Sequence, residues 1–252
     1  MEKKEIKSQI RKESKSAKRA LQGFMRKRDQ DKLHKFRVCI KKLRAVAALI
    51  DTTDAKMEIG KELKPVKQTY QLSGEVRDSY LHIELAKTLP DADKKYLSGE
   101  KDTLKRAARK LLKGRPQHFR MLRRAKAGFL KHVPKLKDKE VREFYDKELH
   151  GIAECLIASK KVEQIHGCRK RLKVLLYNFP LAKGTLGFSF NEDYLQQVQT
   201  AIGDWHDQVL AAQQFPELKG KSQLMLKKVK TITKNFHARA TAAKEPLKDK
   251  AG

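Results

Sequence analysis

Hydrophobic side chains recur along this chain at steps of three and four residues, the spacing of one face of an α-helix. In residues 33–50 the apolar positions are Leu33, Phe36, Ile40, Leu43, Ala47 and Ile50. In residues 141–158 they are Val141, Phe144, Tyr145, Leu149, Ile152 and Leu156. No segment alternates apolar and polar residues between hairpin turns, so a sheet is not expected. The pattern predicts an all-α fold.

Helix-breaking residues divide the chain into about eight or nine predicted helices. Proline, glycine and short polar clusters mark the breaks. The predicted breaks lie at residues 51–54, 89–93, 113–116, 132–138, 178–187 and 215–217.

Two basic segments of the chain are similar to each other. "LHKFRVCIKKLR" at 33–44 aligns with "IHGCRKRLKVLL" at 165–176, which places His34 opposite His166 and Arg37 opposite Arg169. A second pair of segments follows in the same order, "SGEVRD" at 73–78 and "IGDWHD" at 202–207. In this pair Gly74 aligns with Gly203, and Asp78 with Asp207. Two landmarks in one order indicate a duplicated helical unit.

The duplication predicts two repeat halves, residues 5–131 and 138–244, joined near 132–138. Helical units of this size bury little apolar surface alone, so we expect the halves to pack as one pseudo-symmetric domain over residues 1–252. Residues 245–252 are predicted to be a flexible C-terminal tail.

Positive charge dominates the composition, with 59 Lys and Arg against 30 Asp and Glu, a net charge of +29 and a pI near 10.0. Such an excess opposes compact folding by self-repulsion, which favours an anionic partner such as nucleic acid, an anionic membrane surface or inorganic polyphosphate.

Basic side chains form a stripe along each of the two aligned helices. The first stripe contains His34, Arg37, Lys41 and Arg44 at i, i+3, i+7 and i+10, and the second contains His166, Arg169, Lys170 and Lys173. Neither 33–50 nor 165–179 contains an Asp or Glu to relieve the repulsion. One interpretation is an ordinary solvated basic face. The repetition favours the other, that facing stripes line a groove for phosphate groups.

The motifs "HxxRVxxKKLR" at 34–44 and "HxxRKxLK…Y" at 166–177, with the two glycine landmarks, resemble the CHAD domain, the conserved histidine α-helical domain. The resemblance extends from about residue 5 to about residue 240. It implies two antiparallel four-helix bundles, related by pseudo-two-fold symmetry, that enclose a basic central pore. It also implies binding of inorganic polyphosphate and an association with polyphosphate granules.

Carried over by position, the resemblance assigns polyphosphate binding to one set of residues in each half. These are His34, Arg37, Lys41, Lys42, Arg44, His166, Arg169, Lys170 and Lys173. Leu176 departs from the motif, which has an arginine before the tyrosine. Cations of residues 101–126 are secondary candidates that could compensate, with a solvated helix face as the alternative: Arg106, Arg109, Lys113, Arg120 and Arg124. Arg77, Asp78 and Asp207 are expected to orient the basic residues, with helix packing as an equal alternative for the two aspartates.

No catalytic residue, cofactor or metal site is predicted. His34 and His166 lack metal-type spacing such as HExxH and have no carboxylate cluster nearby. The ExExK motif of the triphosphate-tunnel domain that accompanies some CHAD domains is absent, so we expect a stand-alone binder without hydrolase or kinase activity. The neighbouring cations should disfavour the charged form of the histidines, and a bound polyanion should restore it.

Non-specific nucleic-acid binding is the main alternative, because the same cations neutralise phosphodiesters. Aromatic residues are only 7% of the chain, and the stripes lack the interleaved aromatics that stack on bases. Polyphosphate, which has no bases, fits a purely cationic site better, and any nucleic-acid binding should be weaker.

Cysteine usage and hydropathy predict the cellular setting. Cys39, Cys155 and Cys168 form no CxxC pair, which predicts no disulfide and a reducing environment. No secretory signal or membrane-spanning run is visible. We therefore expect a soluble cytoplasmic protein, with no membrane partner and a possible location on polyphosphate granules.

Overall fold

The computed structural model describes residues 1–54, 56–88, 94–159 and 161–242. Within these ranges the chain is almost entirely helical and contains no strand, which confirms the predicted all-α class. The chain divides into two compact units, Glu2–Leu136 and Lys137–Gly252 with Met1.

Five α-helices and a 3-10 helix account for the described part of the unit Glu2–Leu136. They are α1 (Lys3–Lys27), α2 (Gln30–Thr53), the 3-10 helix Ile59–Val66, α3 (Lys67–Ala86), α4 (Lys94–Lys113) and α5 (Arg115–Lys131). Consecutive helices pack together, α1 on α2, α2 on α3 and α3 on α4, while α5 lies against α1 and the 3-10 helix. The helix that carries the first basic stripe, α2, therefore contacts both α1 and α3.

The described part of the second unit follows the same sequence of neighbours. Its helices are α6 (Asp138–Ala158), α7 (Val162–Ala182), α8 (Glu192–Gln214), the 3-10 helix Pro216–Leu218, α9 (Lys219–Ile232) and α10 (Phe236–Ala240). Helix α7 packs on α6 and α8, α8 packs on α9, and the short α10 contacts α6 and α8. The second basic stripe thus lies on α7, in the position that α2 has in the first unit.

Capping side chains begin several of these helices. The carboxylate of Asp29 accepts hydrogen bonds from the backbone N–H groups of Asp31 at 2.9 Å and Lys32 at 3.1 Å. The Asn191 side chain accepts one from Tyr194 N–H at 3.1 Å. Such caps satisfy N–H groups that have no partner inside the helix. The break between α1 and α2, where Arg28 adopts a left-handed φ of 58°, has no proline or glycine and was not predicted.

Most of the predicted helix breaks that the structure describes are confirmed. Breaks occur after α2, between α4 and α5, before α6 and after α8, while residues 89–93 lie outside the described part of the chain. The break predicted at 178–187 begins too early, because α7 continues through Pro180 to Ala182. A proline removes one helical hydrogen bond, and here burial of Phe179 and Ala182 holds the last turn in place.

The apolar faces predicted from periodicity form the core of each unit. All six apolar positions of 33–50 are buried. In 141–158 five of the six are buried, and Leu156 is partly exposed. The hydrophobic period therefore predicted correctly which faces of α2 and α6 point inward.

The prediction that the chain lacks a disulfide is wrong. Cys155 on α6 and Cys168 on α7 are bonded, with Cα atoms 6.7 Å apart. This separation lies within the range that a disulfide spans. The spacing in sequence gives no sign of the pairing, which depends on how α6 packs against α7. Cys39 is free and buried in α2.

No helix in the described ranges is both long and apolar enough to cross a lipid bilayer.

Candidate anion-binding site

Arg37 reaches from α2 onto the backbone of α3. Its Nη1 donates hydrogen bonds to the carbonyl oxygen of Tyr70 at 2.9 Å and to Oγ of Ser73 at 3.3 Å. The guanidinium group lies directly over Gly74, where a Cβ atom would be only 2.7 Å from Nη1. The absence of a side chain at residue 74 therefore allows the arginine to reach the helix backbone.

Arg169 makes the equivalent contact in the second unit, from α7 to α8. Its Nε donates a hydrogen bond to the carbonyl oxygen of Gln199 at 3.2 Å. A Cβ atom at Gly203 would be 2.6 Å from Cζ and 2.7 Å from Nε of this arginine. Both separations are too short for a methyl group unless the arginine moves, so the observed contact depends on a glycine here as well.

The two arginine contacts follow one rule. In each unit the arginine crosses a glycine and bonds to the carbonyl oxygen four residues before it, that of Tyr70 before Gly74 and that of Gln199 before Gly203. We call this arrangement the arginine–glycine clamp. It explains the sequence repeat physically, because in each unit the arginine of the first aligned segment contacts the glycine of the second.

Tyr70 also brings a second cation into the first stripe. Its ring centroid lies 4.5 Å from Cζ of Arg37 and 4.1 Å from Cζ of Arg44. Both distances are within the range of cation–π attraction. One aromatic ring therefore holds two guanidinium groups near each other despite their like charge.

The second unit lacks this aromatic pairing at both of its positions. By the alignment, Leu176 takes the place of Arg44 and Gln199 the place of Tyr70. Leu176 is buried, with 9% of its surface exposed. The departure noted in the sequence at residue 176 is thus accompanied by loss of the ring that would contact an arginine there.

His166 in the second stripe stacks on His206 of α8. The ring centroids are 3.8 Å apart, with an interplanar angle of 27°. Within the described part of the chain, Nδ1 of each ring is buried without a hydrogen-bond partner. Burial, followed by the nearby His206, Lys170 and Arg169, lowers the pKa of His166 to about 4. The lowered pKa agrees with the neutral form expected beside cations, although burial is the larger cause.

The lysines of the two stripes differ in their surroundings. Lys42 Nζ lies 3.5 Å from Oε1 of Glu13, a buried carboxylate on α1. Lys41 and Lys173 are partly exposed, and Lys170 is exposed. In the first stripe His34 and Arg44 are also exposed, so cationic surface is accessible on both helices.

Comparison with known families identifies the family of this chain. Residues 8–215 match the family described as the CHAD domain, which covers most of the 252-residue chain. The chain belongs to the CHAD family. No curated protein and no solved structure matches it. The family match ends before α9 and α10, which lie within the longer range that the sequence motifs indicate.

In this CHAD chain, backbone carbonyl groups orient Arg37 and Arg169. The sequence predicts an orienting role towards the basic residues for Arg77, Asp78 and Asp207, with helix packing as an equal alternative for the two aspartates. Asp78 is exposed and lines the surface depression beside Arg37, as does Glu75. Asp207 Oδ1 lies 3.5 Å from Nδ1 of His206.

The third residue of that group, Arg77, lies against α3 itself. Its Cζ is 5.4 Å from the ring centroid of Tyr80. Its Nε is buried without a hydrogen-bond partner in the described ranges. The structure therefore places Arg77 beside the aromatic ring of Tyr80.

The secondary candidates of the CHAD domain lie on α4 and α5. Helix α4 packs on α3, and α5 packs on α1 and the 3-10 helix. Their side chains are all exposed: Arg106, Arg109, Lys113, Arg120 and Arg124. The structure places them on helices other than α2, which carries the first stripe.

Sequence inspection missed two residues that complete the CHAD stripes, Tyr70 and His206. His206 occupies the position of Arg77 in the quoted alignment, and Tyr70 precedes the landmark glycine by one helical turn. Extending the aligned segment by four residues would have drawn attention to Tyr70. Its contact with two arginines on another helix, however, depends on how α2 packs against α3.

Proposed function

We propose that this CHAD chain binds inorganic polyphosphate through the two basic stripes on α2 and α7. The observation that carries the proposal is the arginine–glycine clamp, which occurs in both units with a histidine three residues before each arginine. Each clamp leaves guanidinium N–H groups that the described contacts do not use. Forked donors of this kind match phosphate oxygens.

Charge and family both support a polyanionic ligand. The net charge of +29 attracts a polymer with one negative charge on each phosphate unit. CHAD domains are associated with polyphosphate-related proteins. A polymer without bases needs only cations for its recognition, and the stripes consist of arginine, lysine and histidine.

The proposal includes the finer architecture that the CHAD resemblance implies. In it, each unit closes as a four-helix bundle, and the two stripes line one basic pore. A single polymer chain would then bind both stripes, so that the second contact forms at high effective concentration. Affinity should therefore increase steeply with polymer length until both stripes are bound.

Nucleic acid is a weaker candidate ligand. The aromatic ring of Tyr70, beside the first stripe, is already contacted by Arg37 and Arg44. A ring used in this way does not offer the open stacking platform that bases require. We propose that duplex or single-stranded nucleic acid binds only through phosphate charge.

The decisive experiment is a competition titration of the full chain. Long-chain polyphosphate, duplex DNA and single-stranded RNA are compared at equal phosphate concentration and near-physiological salt. The site variant is R44Q/K170Q, which changes one exposed cation in each stripe and spares the clamps. The control variant K15Q/R19Q removes the same charge from two exposed positions of α1.

We expect polyphosphate to bind much more tightly than either nucleic acid, and the site variant to weaken it by at least about 10-fold. The control variant should lose only the small part of the polyphosphate affinity that any two positive charges on the surface contribute. Equal affinity for the polymers, or equal loss in both variants, would instead show diffuse attraction. We also propose that the chain is not an enzyme, so polyphosphate recovered after incubation should keep its length.

Recruitment to polyphosphate granules is part of the same proposal. A fluorescent fusion of the full chain should concentrate on granules in cells that accumulate polyphosphate. The R44Q/K170Q variant should remain diffuse, whereas K15Q/R19Q should still localise.

A further inference from the structure

Two histidines and an aspartate converge in the second unit. Asp146 and His150 lie one turn apart on α6, and His237 lies on α10. One ligand atom from each residue lies within 4.8 Å of the other two. The imidazole rings of His150 and His237 are in contact, with centroids 3.9 Å apart.

The donor set suits a transition-metal dication. Two imidazole nitrogens and one carboxylate oxygen are ligands that Zn²⁺ and its neighbours accept, whereas Mg²⁺ and Ca²⁺ prefer oxygen alone. Nδ1 of His150 lies 3.3 Å from Oδ1 of Asp146. Two ligands at tetrahedral positions, each about 2.0–2.1 Å from zinc, are about 3.4 Å apart. This pair is therefore already spaced for one metal ion.

The contacts of His150 are compatible with metal binding at Nδ1. Nδ1 of His150 is also 3.0 Å from the backbone carbonyl oxygen of Asp146. A proton on this nitrogen can therefore be donated to the carbonyl oxygen or to Oδ1 of the same residue. A metal ion at Nδ1 would displace that proton, as metal binding to histidine requires. On binding, the His237 side chain would rotate to shorten the remaining distances, which are at most 4.8 Å.

A separate observation concerns the third ligand. Nε2 of His237 is buried, yet no described residue forms a hydrogen bond with it. A buried polar atom without a partner is costly, so Nε2 of His237 would gain from a ligand. Asp146 and His150 are exposed, so an ion can enter from solvent.

We propose that Asp146, His150 and His237 form a binding site for one Zn²⁺-class ion. The ion would join α10 to α6 and so fix the end of the described chain to the body of its unit. His237 lies beyond residue 215, where the CHAD match ends, so one of the three ligands comes from outside the matched region. No metal site was predicted from the sequence, because only the stripe histidines His34 and His166 were considered as ligands. The proposal is independent of polyphosphate binding.

Isothermal titration calorimetry of the untagged full chain tests the site, with Zn²⁺ and Mg²⁺ titrated separately in chelator-free buffer near neutral pH. We expect saturable binding of Zn²⁺ at one site per chain and no comparable binding of Mg²⁺. H237Q, H150Q and D146N should each weaken Zn²⁺ binding by at least about 10-fold. The matched control is H132Q, because His132 also faces a carboxylate, Glu62 at 3.4 Å, on another part of the chain.

Hydrogen exchange provides the second measurement. Zn²⁺ should slow exchange of the backbone amides in α10 in the wild type and in H132Q, and not in H150Q, in which α10 itself is unchanged. Circular dichroism confirms that each variant is folded. The proposal is overturned if Zn²⁺ does not bind saturably, or if H132Q loses as much Zn²⁺ affinity as the three site variants. It is also overturned if Zn²⁺ does not slow amide exchange in α10 of the wild type.

Discussion

The guanidinium group of Arg169 occupies the space that a side chain at Gly203 would need. A Cβ atom there would lie 2.6 Å from Cζ of the arginine, and the same relationship links Arg37 to Gly74. Both glycines are in regular α-helix, so they are required for close approach of an arginine rather than for an unusual backbone conformation.

Alanine at Gly203 or Gly74 should destabilise the protein by about 1–2 kcal/mol, because the added methyl group displaces the arginine from its carbonyl partner. Chemical denaturation measures the change. Gly167 of α7 is the control, since no atom lies within 4 Å of its potential Cβ. G167A should stabilise the helix by about 0.5–1 kcal/mol.

A double-mutant cycle separates the clamp from general helix effects. Removing the arginine side chain leaves space for the methyl group, so G203A should cost less in an R169A background than in the wild type. Additive effects of the two substitutions would contradict the clamp.

His166 should make stability depend on pH. Its pKa is about 4 in the folded protein, against 6.5 as the ordinary value, so between these values the unfolded chain binds more protons. Stability should therefore fall as the pH decreases from about 6.5 towards 4, by about 1 kcal/mol after allowance for its partial exposure. H166Q should flatten this part of the profile. Denaturation at several pH values measures it, and an unchanged profile in H166Q would contradict the assignment.

Polyphosphate binding should return a proton to His166, because phosphate oxygens favour the imidazolium form. Calorimetric titration near pH 5.5 in two buffers of different ionisation enthalpy should show proton uptake in the wild type and less in H166Q. Equal uptake by the two proteins would place the proton elsewhere.

The cation–π contacts of Tyr70 predict that the two stripes contribute unequally. R44L gives the first stripe the residue that the second has at Leu176. We expect it to lower polyphosphate affinity several-fold and to reduce the slope of log K against log salt by about 1. R19L, on α1, is the control because it removes an exposed arginine that is not among the candidate binding residues. The two variants would have the same salt slope if Arg44 did not contact phosphate.

Lys42 should matter more for folding than for ligand binding. Its ammonium group faces the buried Glu13, so K42M leaves a carboxylate without its cation and should cost about 1–3 kcal/mol. K170M, at an exposed position, should retain stability and lose polyphosphate affinity. Paired denaturation and binding measurements on the two variants would show whether these roles are reversed.

Periodicity and repetition predicted much of this fold from sequence. The apolar positions of α2 were predicted correctly because a helix buries one face. The alignments of the two arginines and of the two glycines identified residues that prove to be in contact. Tyr70, His206 and the Cys155–Cys168 bond were not predictable in the same way. Each depends on the rotation and offset of two helices, which side-chain packing sets and which leave no regular spacing in the sequence.

The clamp also has a consequence for the kind of polymer that can bind. A solvated arginine carries about 2 kcal/mol of rotamer entropy, much of which Arg37 and Arg169 have already lost by bonding to a helix backbone. Their donors therefore stand at fixed places before any ligand arrives. A flexible chain can bring its phosphates to fixed donors by turning about its own bonds, whereas duplex DNA remains stiff over about 150 base pairs. The fixed donors of Arg37 and Arg169 therefore favour a flexible polymer over a stiff duplex as ligand.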